Sequence, residues 1–166
     1  SVALADYLFM DAFYLASTTE STLACRIIGE ATNVVCAGEL QQVRARGNFD
    51  LSEEHYFQII EAKTAKLCEC SCRLGAHYAG ATEEEVRRLG KYGTHLGIAF
   101  QITDDLLDVL GDARTTGMER HGAIQYAREA ASRHAELAQQ QLAELPESEA
   151  RDILAGLPAF VLARSA

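Results

Sequence analysis

Three carboxylates crowd one short stretch of the chain, Phe100-Gln101-Ile102-Thr103-Asp104-Asp105-Leu106-Leu107-Asp108. On a helix Asp104 and Asp108 lie one turn apart, Asp105 is beside Asp104, and Gln101 precedes them by a turn. The four groups are therefore expected to share a face, with Cβ atoms about 5–6 Å from the next along the stripe. Like charges at this spacing cost helix stability, and a place near a helix C-terminus would add an unfavourable dipole interaction. Ile102, Leu106, Leu107, Val109 and Leu110 surround them, which is not the pattern of a plain solvated face. A bound cation would relieve the crowding. Hard oxygen donors suit Mg2+, which keeps several waters and takes one or two carboxylates together with substrate phosphate oxygens. Zinc fits less well, because no His or Cys accompanies the cluster. An acidic helix end turned to water is the other reading of the same residues.

Lys63-Thr64-Ala65 is the second candidate group, set among Ile59, Ile60 and Leu67. A lysine there can run its stem to the surface, and periodicity favours that. It can instead turn inward and hold a diphosphate as a point charge. The cysteines Cys25, Cys36, Cys68, Cys70 and Cys72 are odd in number and lie within apolar helical patterns, which favours reduced thiols in a cytoplasmic protein. In Cys68-Glu69-Cys70-Ser71-Cys72 only the outer two thiols share a helix face, too few for a closed zinc site, so all are expected to pack as small apolar residues. His55, His77, His95, His121 and His134 show no common spacing and are expected to be structural or surface residues.

Long helices must carry these groups. Apolar spacing predicts a first helix from Ser1 to Ser17 with Leu4, Leu8, Ala12 and Leu15 on one stripe. A second runs from Glu20 to Arg44 and breaks at Gly47-Asn48. Ser52, followed by Glu53 and Glu54, caps a third reaching Tyr78. Thr82 caps a fourth, opened by Glu83, Glu84 and Glu85 and closed by Gly111-Asp112. Two more are expected over Ala123–Leu145 and Ser148–Arg164, separated by Pro146. Gly90, Gly93 and Gly97 share one face of the fourth helix at about 1 kcal/mol each relative to Ala, which calls for a neighbouring helix or a ligand at close range. No stretch alternates apolar and polar residues over strand length. Helices this long, with short connections, point to an all-α, antiparallel bundle around a central cavity.

The 166 residues suffice for a single domain with a real core, and 48% are apolar with only two prolines. The net charge of −9 argues against nucleic acid, yet leaves room for a phosphorylated substrate bridged by a divalent metal. No apolar run approaches the ~20 residues that span a bilayer, and the first residues lack the pattern of a secretory signal.

In order along the chain, several segments are similar to those of the polyprenyl synthetase family of trans-prenyltransferases. Ala5-Asp6-Tyr7-Leu8-Phe9, Gly38-Glu39-Leu40-Gln41-Gln42 and Asp50-Leu51-Ser52-Glu53-Glu54 lead to Tyr56 and Lys63-Thr64-Ala65. Gly75-Ala76 and Tyr92-Gly93 follow, and Gly97-Ile98-Ala99-Phe100-Gln101 leads into Asp104-Asp105-x-x-Asp108, which resembles the family's second aspartate-rich motif. Ala123-Ile124-Gln125-Tyr126-Ala127-Arg128 and Leu145-Pro146-Glu147-Ser148 resemble its C-terminal helices.

The resemblance implies the isoprenoid synthase fold and a Mg2+-dependent condensation of isopentenyl diphosphate with an allylic prenyl diphosphate. It makes Asp104, Asp105 and Asp108 metal ligands and turns Lys63 inward onto the allylic diphosphate. Thr64, Phe100 and Gln101 then lie along the substrate, with Lys63, Thr64 and Gln101 as the catalytic set. It further implies a homodimer, formed through helices like the first two, and leans weakly toward the longer-chain branch. The family's first aspartate-rich motif is expected before the first helix, where this sequence does not reach, and a further family segment between Gly117 and Met118. A non-catalytic partner of an active subunit and a terpene cyclase are the competing readings, the latter disfavoured by Lys63-Thr64-Ala65, Phe100-Gln101 and Gly38-Glu39-Leu40-Gln41.

Overall fold

The computed structural model describes residues 2–19, 22–47, 50–116 and 121–164; the expected join between Gly117 and Met118 lies outside them. Helices follow in the order α1 (Val2–Ser17), α2 (Thr22–Ala45), α3 (Glu53–Ile60), a π-helical turn (Glu61–Ala65), α4 (Lys66–Tyr78), α5 (Glu83–Thr116), α6 (His121–Leu142) and α7 (Glu149–Ala163). Among the described residues there is no strand. The all-α architecture expected from the sequence is the one observed.

Caps account for four of the boundaries. The Ser52 hydroxyl accepts the His55 N–H at 3.2 Å, and Ser148 does the same for Arg151 at 3.2 Å. Thr82 and Glu85 close a reciprocal capping box: Glu85 accepts the Thr82 N–H at 2.7 Å and Thr82 accepts the Glu85 N–H at 3.3 Å. Gly80 follows α4 at φ +80, the left-handed conformation that ends a helix at little cost for glycine.

Three expectations change. α5 does not stop at Gly111 but continues to Thr116, since one helical glycine without a proline behind it is a weak terminator. α6 ends at Leu142, short of Leu145, whose carbonyl instead accepts the Arg151 guanidinium at 2.9 Å. The helix expected from Ser52 to Tyr78 is interrupted by the π-turn at Glu61–Ala65, which takes in Lys63-Thr64-Ala65.

α5 is the central element and touches α3, the π-turn, α4, α6 and α7. Its glycine face meets backbone. A Cβ on Gly93 would lie 2.5 Å from the Cys68 carbonyl oxygen, and one on Gly97 would lie 2.6 Å from the Ala65 Cα. From the other side, a Cβ on Gly38 of α2 would lie 2.9 Å from the Lys63 backbone nitrogen. The π-turn is thus gripped between two glycines. Toward α6 the contact is made by Ile98, Ile102 and Leu106 against Ala130 and Ala131, all buried, small residues that let two helices approach closely.

Pro158 lies inside α7 and is buried. Lacking an N–H, it leaves the Leu154 carbonyl, four residues earlier, without its helical donor. The fully buried Tyr92 of α5 donates its hydroxyl to that carbonyl at 2.7 Å. α1 presents the opposite situation. It packs only on α2 among the described residues, and Leu4, Tyr7, Leu8, Met10, Tyr14 and Leu15 are all exposed.

Candidate active site

Gln101 and Asp105 stand one turn apart on α5, so their side chains meet. The Gln101 amide donates to Asp105 Oδ1 at 2.9 Å. Its carbonyl oxygen accepts the Thr64 hydroxyl from the π-turn at 2.6 Å. Only one orientation of the amide serves both partners, because its two ends have opposite hydrogen-bonding character. The second Asp105 oxygen accepts the Tyr56 hydroxyl of α3 at 2.7 Å. Thr64, Gln101, Asp105 and Tyr56 therefore form one continuous chain of hydrogen bonds across three elements. Burial, followed by the hydrogen bond to Asp105 and that residue's charge, pushes the Tyr56 phenol well above its ordinary range; it stays a donor.

The π-turn matters to this chain. Its one extra residue per turn widens the helix, and Thr64 in this stretch reaches Gln101 while Gly97 rests directly on Ala65. Lys63 lies half-buried beside it.

Asp104 takes a different partner. Its Oδ1 accepts the Arg164 guanidinium at 2.8 Å, and that guanidinium lies over the Phe100 ring, 4.8 Å from its centre. Successive residues on a helix are 100° apart, so the aspartates divide between adjoining stripes: Gln101 with Asp105 toward α3, and Phe100, Asp104 and the exposed Asp108 toward the chain's C-terminal end. The single shared face expected from spacing is in fact two. The unfavourable helix-dipole term also falls away, because α5 runs about two turns past Asp108 and the dipole acts mainly within the last turn.

Two cavities meet at the Tyr56–Asp105 bond. One, of about 300 Å3, is mainly apolar and is lined by Phe57, Ile102, Leu106, Val109 and Ile124 with Asp105. The other, of about 310 Å3, is more polar and includes Gln42, Arg46, Tyr56, Gln101 and Asp105.

Of the candidates read from the sequence, Thr64, Gln101 and Asp105 are brought together by direct bonds and Phe100 and Asp104 through Arg164, whereas Lys63 is only the chain neighbour of Thr64 and lines neither cavity. Asp108 is a turn beyond Asp104 and makes no part of the chain. Among the described residues no three His, Cys, Asp or Glu side chains close into a metal cage. Arg164 gave no local signal, since nothing in its spacing ties it to α5. The five cysteines are free thiols as expected, although Cys36 is exposed rather than packed, and desolvation pushes Cys72 up to about 11. Two of the five histidines, His95 and His134, meet across helices, which their separation in sequence concealed.

The chain resembles several known proteins. It is 37% identical over 117 residues to the octaprenyl diphosphate synthase of Escherichia coli, covering 70% of this chain and 36% of that protein. It is 38% identical over 112 residues to the heptaprenyl diphosphate synthase component 2 of Geobacillus stearothermophilus, covering 68% of this chain and 35% of that one. The match thus spans about a third of the length of each of these two relatives. Its fold superposes on a decaprenyl diphosphate synthase from Rhodobacter capsulatus with a TM-score of 0.86 at 30% identity, over 99% of this chain and 67% of that one. A polyprenyl synthase from Caulobacter crescentus, solved with calcium and isoprenyl diphosphate, gives 0.85 at 27% identity over 99% and 66%. The polyprenyl synthetase family model matches residues 1–152, and with the aspartate motif, the lysine segment and the helical fold in agreement, the chain belongs to the polyprenyl synthetase family.

Proposed function

We propose that this chain carries the lysine and second-aspartate half of the active site of a trans-prenyltransferase. The enzyme would condense isopentenyl diphosphate with an allylic prenyl diphosphate to give a longer prenyl diphosphate. The observation that carries this reading is the hydrogen-bonded chain Thr64–Gln101–Asp105–Tyr56, which joins the Lys63 segment to the aspartate motif between a polar cleft and an apolar cavity. A diphosphate headed by a hydrocarbon needs that pairing of surfaces.

The donors suit Mg2+. Asp105 gives one lone pair on each oxygen to Gln101 and Tyr56, and a carboxylate has about four such sites, so two remain. Asp104 already holds a cation, the Arg164 guanidinium. An incomplete set of one or two carboxylates is what Mg2+ uses when phosphate oxygens complete its shell. Asp104, Asp105 and Asp108 would hold the ion, and bound there it would draw charge from the departing diphosphate. The Caulobacter relative solved with calcium and isoprenyl diphosphate supports the same pairing of divalent ion and diphosphate.

The chain's own groups have separate tasks. The Lys63 ammonium binds the allylic diphosphate as a compact charge. Thr64 and Gln101 line the reacting prenyl chain, and Phe100 borders it while bracing Arg164. In the reaction the allylic C–O bond breaks with its electron pair going to diphosphate. The double bond of isopentenyl diphosphate forms the new C–C bond, and a proton is lost. The exposed apolar surface of α1 would pair with a second copy of the protein to give a homodimer. No described helix is long and apolar enough to cross a membrane. The free thiols are the ground on which we place the enzyme in the cytoplasm.

The test supplies the full-length protein with both diphosphates and Mg2+ and analyses the products. A prenyl diphosphate longer by five-carbon units, with inorganic diphosphate released, is expected. A cyclic hydrocarbon would make it a terpene cyclase. Because one relative bears the name of a component, product formed only with an added partner would make this a non-catalytic or partner-dependent subunit.

A further inference from the structure

His95 on α5 and His134 on α6 take no part in the chemistry above. Their Nδ1 atoms lie 3.1 Å apart, with ring centres 5.2 Å apart and planes inclined by 50°. Phe57 of α3 stacks on the His134 ring at 5.7 Å and 27°, which fixes its orientation. Two nitrogens bound to one tetrahedral zinc at about 2.0–2.1 Å would stand roughly 3.3–3.4 Å apart. The observed separation is therefore within a few tenths of an ångström of a metal-bound pair.

The protonation chemistry also allows it. In a neutral pair one Nδ1–H faces the other ring's lone pair; moving that proton to Nε2 frees both Nδ1 lone pairs without changing the protein's charge. Burial lowers the proton affinity of both rings, and that of His134 falls to about 4, leaving neutral ligands near pH 7. The charge of the Glu61 carboxylate, at the start of the π-turn, favours a positive charge at His95. Lys91 and Arg133 oppose a cation here, but Arg133 lies over the Tyr126 ring, 5.9 Å from its centre.

We propose that His95 and His134 form a two-imidazole site for a borderline transition-metal ion such as Zn2+, separate from the α5 aspartates and clamping α5 to α6. Water completes the coordination. Imidazole donors select Zn2+ over Mg2+, which keeps to oxygen, so the two ions do not compete for one set of ligands.

The experiment titrates Zn2+ calorimetrically into the full-length protein in saturating Mg2+, with the exposed Cys36 replaced by serine. One site per chain is expected. His95→Asn or His134→Asn should each weaken it about tenfold or more, comparable to losing support around a metal ligand, while Asp104→Asn leaves it unchanged. Absence of zinc binding, or binding equally tight in both histidine variants, overturns the proposal. Should those variants misfold, Ni2+ added to the unmodified protein serves instead. Selective paramagnetic broadening of the two ring signals supports the site, and unbroadened His95 and His134 signals refute it.

Discussion

Toward its N-terminus α5 offers Gly93 and Gly97 to its neighbours, and there helix meets backbone. A few turns on, the same helix offers Gln101, Asp104 and Asp105, and side chain meets side chain. The first region tolerates no added atom: Cβ positions at Gly93 and Gly97 fall 2.5 and 2.6 Å from neighbouring backbone. The second holds two carboxylates that repel one another and settle on separate partners. The contrast explains the arrangement. A helix seated without slack at one end has its rotation and register fixed, so the polar groups at the other end arrive within hydrogen-bond distance of α3 and the π-turn. Precise steric contact positions the charges.

That comparison can be broken at either region. The largest effect is expected at the polar end. Asp104→Ala in the full-length enzyme should lower turnover by about 10²–10³, the scale of losing an electrostatic contact to the reacting group. The thermal midpoint should scarcely move, because Asp104 and Arg164 are each about a third exposed (36% and 34%). Normal turnover would take Asp104 out of the chemistry.

At the glycine end the pattern should reverse. Gly93→Ala pushes a Cβ onto the Cys68 carbonyl and should cost about 1–3 kcal/mol of stability, seen in denaturant unfolding. Gly75→Ala, on α4 with nothing within 4 Å of the added Cβ, should instead stabilise by about 0.5–1 kcal/mol. Equal effects at the two positions would remove the close approach from the account.

Tyr92→Phe removes the donor that serves the Leu154 carbonyl in front of Pro158. A buried acceptor left unsatisfied costs about 1–3 kcal/mol, so chemical denaturation should reveal that loss with activity retained per folded molecule. At the polar end again, Lys63→Ala should raise the KM for the allylic diphosphate about tenfold, near 1.4 kcal/mol, with a lesser effect on kcat. An unchanged KM would return Lys63 to the surface role that periodicity favoured.

The fold was largely legible because its signals are local. Ser52, Thr82 and Ser148 announce helix starts through cap chemistry, and three glycines on one face demand a near neighbour whatever that neighbour is. The aspartate cluster was legible for the same reason: charges crowded on an apolar stripe are anomalous in sequence alone. What stayed hidden depends on distant parts of the chain. Arg164 reaches Asp104 only because α7 returns to α5, and His95 reaches His134 only through the packing of α5 on α6. The π-turn was invisible because the apolar period through Ile59, Ile60 and Leu67 reads equally well as unbroken helix. Gly38 could have hinted at it, as a glycine inside α2 that clears space for the Lys63 backbone.

The central claim is that the α5 aspartates and the Lys63 turn together hold a metal-bridged diphosphate. Calorimetric titration of an allylic diphosphate into the full-length protein, with and without Mg2+, tests it most directly when repeated on Asp104→Asn. The account predicts binding that depends on Mg2+ and is weakened at least about tenfold by the substitution. Binding of equal strength without Mg2+, or undiminished in Asp104→Asn, would contradict it.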